Sequence, residues 1–300
     1  MNHSSEGAAS IHRFANISEL KTTEHIALAE SVVFGQPRSQ PLPRIASLVP
    51  SLTELVVALG LGPQLVARTG YCIHPADSVR GVPKVGGTKD VNLAKLQGLR
   101  PTHVLVNVDE NRRETVEAIR AWPANIAPQI VVTHPLGPED NLTLVAQMAA
   151  CFGHVAGVSE RAATITAALQ HELVQTRTED WPEQRVLYLI WREPWMTVAR
   201  DTYLSRMLSR VNLQTLPEVL GGETGAARYP ALTGTEPWLA QVQQVLLSSE
   251  PYAFGAHHFE EAQRLCPNAQ VRLVDGEMLS WFGARAVPGL RYLRELAAAL

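Results

Sequence analysis

Residues 44–62, RIASLVPSLTELVVALGLG, constrain the fold more than any other stretch, because they require a buried strand to run straight into a helix. Ile45, Ala46, Leu48 and Val49 make a short apolar run that Pro50 ends, since proline brings no N–H to a sheet ladder. Ser51 and Glu54 then stand at the spacing of a capping box, in which the serine hydroxyl accepts from a helical N–H and the glutamate reaches back. Gly60 follows, a residue type that closes a helix in left-handed geometry. The pattern predicts a strand, a tight turn and a capped helix whose start faces a crevice.

Further apolar runs at 65–68, 104–107 and 130–133 alternate with helical patterns, and a second series follows at 185–190, 245–247 and 271–274. Alternation of this kind predicts parallel sheets flanked by helices. Between the two series lie a helix at 141–151 and a longer one at 159–178. Ala162, Ile165, Ala168, Leu169 and Leu173 recur at helical spacing in the longer helix, and Trp181-Pro182 ends it. A last helix is expected at 287–300.

The chain has 300 residues, 46% of them hydrophobic, and a net charge of −3, enough apolar material for sizeable cores and no electrostatic reason to meet nucleic acid or an anionic membrane. Its three cysteines, Cys72, Cys151 and Cys266, are too far apart for a zinc cluster and odd in number for a disulfide framework. Cys151 and Cys266 read as buried thiols, and Cys72 as a residue bordering the crevice. Enzyme signatures fail one by one. Gly60-x-Gly62 lacks the third glycine of a dinucleotide fingerprint, Gly86-Gly87-Thr88-Lys89 is too short for a P-loop, and His171-Glu-Leu-Val-Gln175 lacks a second zinc-binding histidine. His257-His258 with Glu260 and Glu261 reads as a solvated helix start. The chain is expected to have no catalytic residues, no metal site of its own and no enzyme activity.

Ahead of the first strand, residues 18–34 read as one amphipathic helix and residues 36–43, rich in proline, as a stiff linker. Residues 1–43 carry no basic segment leading into a 7–15-residue apolar core, and no 18-residue apolar run occurs anywhere. On that ground the protein is expected in the cytoplasm, or in the periplasm or at the cell surface if a leader has been removed.

Further landmarks occur in order: Arg68-Thr-Gly-Tyr71, Val85-Gly-Gly-Thr88 with Asn92-Leu93, and Leu99-Arg-Pro101 before His103-Val-Leu-Val-Asn107. After them come Arg185-Val-Leu-Tyr-Leu-Ile-Trp191, Tyr229-Pro230, Leu246-Leu-Ser-Ser-Glu-Pro251, Val271-Arg-Leu-Val-Asp275 and Ser280-Trp-Phe282. With residues 44–62 they make a chain that resembles the helical-backbone metal receptors, the class III substrate-binding proteins of ABC importers, and most of all their cobalamin-binding branch. The resemblance implies an α/β fold of two Rossmann-like lobes with parallel sheets, joined by a single long helix, with the ligand cleft between them. It divides the chain into an extension and linker at 1–43, a first lobe at 44–153, the bridging helix at 154–181 and a second lobe at 182–300. A continuous helix cannot absorb large dihedral changes, so small lobe motions and a preformed cleft are expected.

The resemblance also implies the ligand, a cobalamin or related corrinoid whose cobalt arrives inside it, with no cofactor belonging to the protein. The ligand-binding positions it marks are Tyr71, Thr88, Asn107, Trp191, Trp195, Tyr229, Trp281, Phe282 and Arg285. Two indoles and Met196 around Pro194 make a flat, polarisable wall suited to a macrocycle. Arg192 and Glu193 are expected to pair with each other. A siderophore- or haem-binding receptor of the same family, with Tyr71 or Tyr229 as an oxygen ligand to iron, is one alternative. An intracellular enzyme of corrinoid or tetrapyrrole metabolism is another. An importer permease is the implied partner of a monomer. The acids that relatives use for docking fall here at Ala94 and at Thr235, one residue before Glu236, which adds to the expectation of a cytoplasmic role.

Overall fold

The structure, a computed structural model, describes residues 41–222 and 225–300, which lie in one compact unit, Gln40–Leu300. The helix expected at 18–34, and the linker up to residue 40, lie outside the described residues. Two four-stranded sheets, parallel throughout, carry the fold. The first contains β1 (Ile45–Ser47), β2 (Leu65–Arg68), β3 (His103–Asn107) and β4 (Gln129–Thr133) in the order β2-β1-β3-β4. In the second, β5 (Gln184–Leu189), β6 (Leu213–Thr215), β7 (Gln244–Ser248) and β8 (Gln270–Val274) take the order β6-β5-β7-β8. β1 and β7 are buried along their whole length, as parallel strands covered on both faces must be. The short strand LQT of β6 has no periodicity of its own; pairing with β5, Gln184 opposite Leu213, makes it a strand.

Strand order reverses between β1 and β3 in one sheet and between β5 and β7 in the other. In open parallel sheets such switch points leave a crevice at the carboxyl ends of the strands, where loops diverge to opposite faces. The loops after β2, β3, β5 and β7 bear Tyr71, Asp109, Trp191 and Glu250.

Helix α1 (Pro50–Ala58) follows β1 as expected, but not with the expected cap. Val49 is the N-cap and Pro50 the first helical residue, a place suited to a residue without an N–H. That puts Ser51 inside the first turn, where its hydroxyl has no hydrogen-bond partner, and Glu54 turns away to Arg285. At the other end Gly60 does take the left-handed conformation, φ 80°, and its N–H donates to the Val57 carbonyl.

Helices α2 (Ala76–Val79), α3 (Leu93–Gly98) and α4 (Arg113–Arg120) complete the first crossovers, and α5 (Asp140–Phe152) is followed by α6 (Val158–Gln175), the longest helix among the described residues. α6 leads from the first sheet to the second. It stops short of residue 178 because Thr176 leaves helical geometry, its hydroxyl donating to the Glu172 carbonyl at 2.7 Å. The second half adds α7 (Tyr203–Ser209), α8 (Phe259–Leu265), α9 (Gly276–Ser280) and α10 (Ala286–Ala298). Buried Glu172 on α6 receives both Arg291 and Arg294 of α10. The halves also share a core: Tyr203 and Phe282 sit among Leu52, Leu55 and Met148 of the first half. Asn141 joins the seam, its amide donating to the Tyr203 hydroxyl at 3.0 Å and its oxygen accepting from the Gly283 N–H.

Candidate functional site

The crevice between the sheets is built from strand ends. Arg68 closes β2, and its buried guanidinium donates to the carbonyls of Val79, Thr69 and Cys72, which curls the chain and leaves Tyr71 outside, 65% exposed. Cys72 turns inward instead of bordering the crevice: it is fully buried, its thiol beside the Thr69 hydroxyl at 3.1 Å, and burial raises its pKa. Across the crevice β5 ends at a tight loop in which the Met196 N–H donates to the Trp191 carbonyl at 3.1 Å. Trp191 is 42% exposed and meets Tyr252 in an edge-to-face arrangement at 5.7 Å. Arg192 is bound to Glu193 and to Glu261, at 2.8 Å each.

The other marked residues have different surroundings. Trp195 lies flat against Phe254, 5.8 Å between centroids, and packs onto the second-lobe core. Thr88 is half-buried, and its carbonyl accepts from the Asn111 amide. Asn107 is buried, its side-chain oxygen accepting from the N–H groups of Asp109 and Glu110, which shapes the turn after β3 instead of presenting an amide to the crevice. Phe282 is in the shared core. Trp281 is buried, with Arg285 stacked 4.6 Å from its ring centre and its indole N–H donating to Glu250 at 2.7 Å. Arg285 is not free for a ligand, because it forks onto Glu54 at 2.8 and 3.0 Å and reaches Glu277 at 2.6 Å. Tyr229 is half-buried beside Arg228, and desolvation with the Asp109 charge pushes its hydroxyl to about 12.

The crevice floor consists of residues that motif reading passed over. Arg228, 1% exposed, reaches from the second lobe to Asp109 after β3, with Nε and Nη2 each 3.1 Å from a carboxylate oxygen. Its Nη1 donates to the Gly222 carbonyl, and Asp201 accepts from the N–H groups of Gly221 and Gly222, so the loop carrying the arginine is itself tied down. Lys89 donates to the Asp109 carbonyl at 2.7 Å. Next to Asp109 lies Glu110, whose carboxyl is pushed up to about 8 by desolvation first and then by the charge of Glu250. Glu250 is raised as well, chiefly by burial, although the Ser280 hydroxyl and Trp281 donate to it. The available signal was Asp109-Glu110, two acids directly after an apolar strand, and the glutamate of Leu246-Leu-Ser-Ser-Glu-Pro251.

A crevice with an exposed aromatic side chain on each lobe, over a floor of paired charges and partly buried acids, can hold a flat ligand and offers no nucleophile–base pair among the residues named. Glu236 accepts from the N–H groups of Thr233 and Gly234 and so braces its own loop.

Comparison with known proteins agrees with this architecture. A family model described as "Periplasmic binding protein" matches residues 45–230, more than half the chain. The vitamin B12-binding protein of Vibrio cholerae is 25% identical over 229 residues, 72% of this chain and 74% of that protein. That of Pectobacterium atrosepticum is 26% identical over 170 residues, covering 55% of this chain and only 59% of that protein. An ABC transporter substrate-binding lipoprotein of Bacillus subtilis, YvrC, is 25% identical over 176 residues, 56% of this chain and 54% of the relative. Among solved structures, the periplasmic vitamin B12-binding protein BtuF of V. cholerae superposes with a TM-score of 0.68 at 20% identity, covering 86% of this chain and 98% of that one. The periplasmic haem-binding protein HutB of V. cholerae gives 0.67 at 20% identity, over 85% and 99%. At these identities the two structures establish the fold.

The cytoplasmic expectation is overturned by these findings, since the matching family is one of periplasmic binding proteins and the relatives include a lipoprotein. It rested on a leader pattern missing from residues 1–43, and a leader carries no information about the folded part. Two parallel-sheet lobes joined through a long helix, with the crevice at their carboxyl ends and a family match that spans the first lobe, the helix and the start of the second lobe, lead to one conclusion: the chain belongs to the periplasmic binding protein family, a family of substrate-binding proteins.

Proposed function

We propose that this protein binds a corrinoid, cobalamin or a close relative, between its lobes, and works as a monomer by carriage and not by catalysis, delivering the ligand to an importer permease. The observation that carries the reading is the pair of exposed aromatic side chains, Tyr71 on one lobe and Trp191 on the other, each two or three residues past the carboxyl end of a strand. A flat ligand stacked on them would gain about 0.5–1.5 kcal/mol per contact beyond area burial. Thr88 and Tyr229 would contribute at the edges, with Trp195 backing the second wall. The vitamin B12-binding relatives point the same way.

Calorimetry with cyanocobalamin and cobinamide tests the proposal. Binding of either is expected, with Trp191→Ala weakening it about tenfold, the equivalent of ~1.4 kcal/mol. No heat with either ligand at high protein concentration overturns the corrinoid assignment. A haem receptor is the second reading, favoured by the exposed Tyr71 phenol as an oxygen ligand for iron and by the haem-binding fold neighbour. The absorption spectrum of ligand-loaded protein separates the two.

A further inference from the structure

We infer that Tyr252 is the positioning residue of the second-lobe wall: its ring, tethered through His258 to the start of α8, holds the Trp191 indole in the orientation that a flat ligand meets. The inference rests on the corrinoid reading above and adds a residue that acts on the ligand through another side chain.

An exposed indole on a loop has several rotamers open to it, and ordering it at the moment of binding weakens affinity. Backbone, ring and hydroxyl of Tyr252 all act against that freedom. The Tyr252 N–H donates to the carbonyl of Ile190, the residue before Trp191, at 3.3 Å, so the loop after β7 is laced to the loop after β5. The two rings meet with centroids 5.7 Å apart and planes at 73°, an edge-to-face arrangement that aromatic pairs favour. The hydroxyl lies 3.2 Å from Nε2 of His258.

The other nitrogen of that imidazole fixes the direction of the last bond. The Gly255 N–H donates to Nδ1 at 3.0 Å, so in the neutral ring Nδ1 is bare and the Nε2–H donates to the Tyr252 hydroxyl. His258 is a firm anchor, 5% exposed and packed edge-on against Tyr252 and Phe254 at 5.5 and 5.2 Å. Arg192, next to Trp191, is tied to the same region through Glu261 of α8. Beneath these contacts Phe254 lies 4.6 Å from Tyr252 and stacks on Trp195, so the support of the indole runs into the second-lobe core.

A double-mutant cycle on the full chain, read by calorimetry with cyanocobalamin, tests the inference. Tyr252→Ala is expected to weaken binding about three- to tenfold, and Tyr252→Phe, which keeps the ring and loses the tether, about twofold. Neither change should matter once Trp191 is alanine. An equal loss in the Trp191→Ala background overturns the inference, because Tyr252 would then touch the ligand itself or support the fold at large. No loss in the wild-type background overturns it too.

Near-ultraviolet circular dichroism supplies a readout without ligand, since an indole held rigidly beside a phenol gives a signal that a rotating one does not. The difference made by Trp191→Phe should vanish in a Tyr252→Ala background and shrink in a Tyr252→Phe background; an unchanged difference in both overturns the positioning role. Tyr252→Phe preserves the packing and decides the matter by itself if the alanine variant does not fold. Should cyanocobalamin fail to bind the wild type, the corrinoid reading falls, whereas the dichroism still decides whether Tyr252 orients Trp191.

Discussion

At the scale of single residues, the Arg228–Asp109 pair is the decisive contact. A guanidinium that is 1% exposed survives burial because Asp109 supplies the countercharge and accepts from Nη2, while the Gly222 carbonyl accepts from Nη1. Asp109→Asn removes the countercharge and leaves the guanidinium buried, which should cost about 3–5 kcal/mol in urea-unfolding stability. Arg113 and Glu117 approach more closely, at 2.7 Å, but both are exposed. Glu117→Ala should change stability by less than about 0.5 kcal/mol, because a solvated pair gains little over its water contacts. Comparable losses for the two variants would show that the crevice floor is wetter than its geometry implies.

At the scale of elements, the helix starts differ in a way that sequence spacing conceals. Asn92 caps α3, its side-chain oxygen accepting from the Lys95 N–H at 2.9 Å, whereas Ser51 at the start of α1 caps nothing. Replacing Asn92 by alanine should therefore cost about 1 kcal/mol, and Ser51→Ala no more than a few tenths. Chemical denaturation of the two variants checks this; a loss of a full kilocalorie for Ser51→Ala would restore the capping box. Glu54, freed from capping, is what holds α1 to the turn containing Arg285.

For the whole molecule, the lobes are joined at several places as well as through α6. Tyr203 and Phe282 sit in the first-lobe core, Glu54 holds Arg285, and Arg228 holds Asp109. Opening the crevice widely would break buried contacts and ion pairs together, so ligand binding should leave small-angle scattering curves nearly superimposable. A clear decrease in radius of gyration on addition of ligand would show that the joined lobes move as hinged bodies.

Local sequence determined the elements and their kind. Apolar runs such as VLYL in β5, short and β-branched at Val186, suit strands of a covered parallel sheet, and Gly60 ends α1 where a left-handed residue is needed. The places of Tyr71 and Trp191, directly after strands, follow from the same local order. Tertiary structure decided the rest. Glu54 and Arg285 are 231 residues apart, and Asp109 and Arg228 are 119 apart, so no spacing rule could join either pair. β6 became a strand only by pairing with β5, and Asn107, polar and next to the crevice, was drawn inward by the N–H groups of the turn it closes. Short-range pattern fixes backbone geometry because its hydrogen bonds close within a few residues. Which charges are neutralised in the crevice depends on side chains that meet only after both sheets have formed.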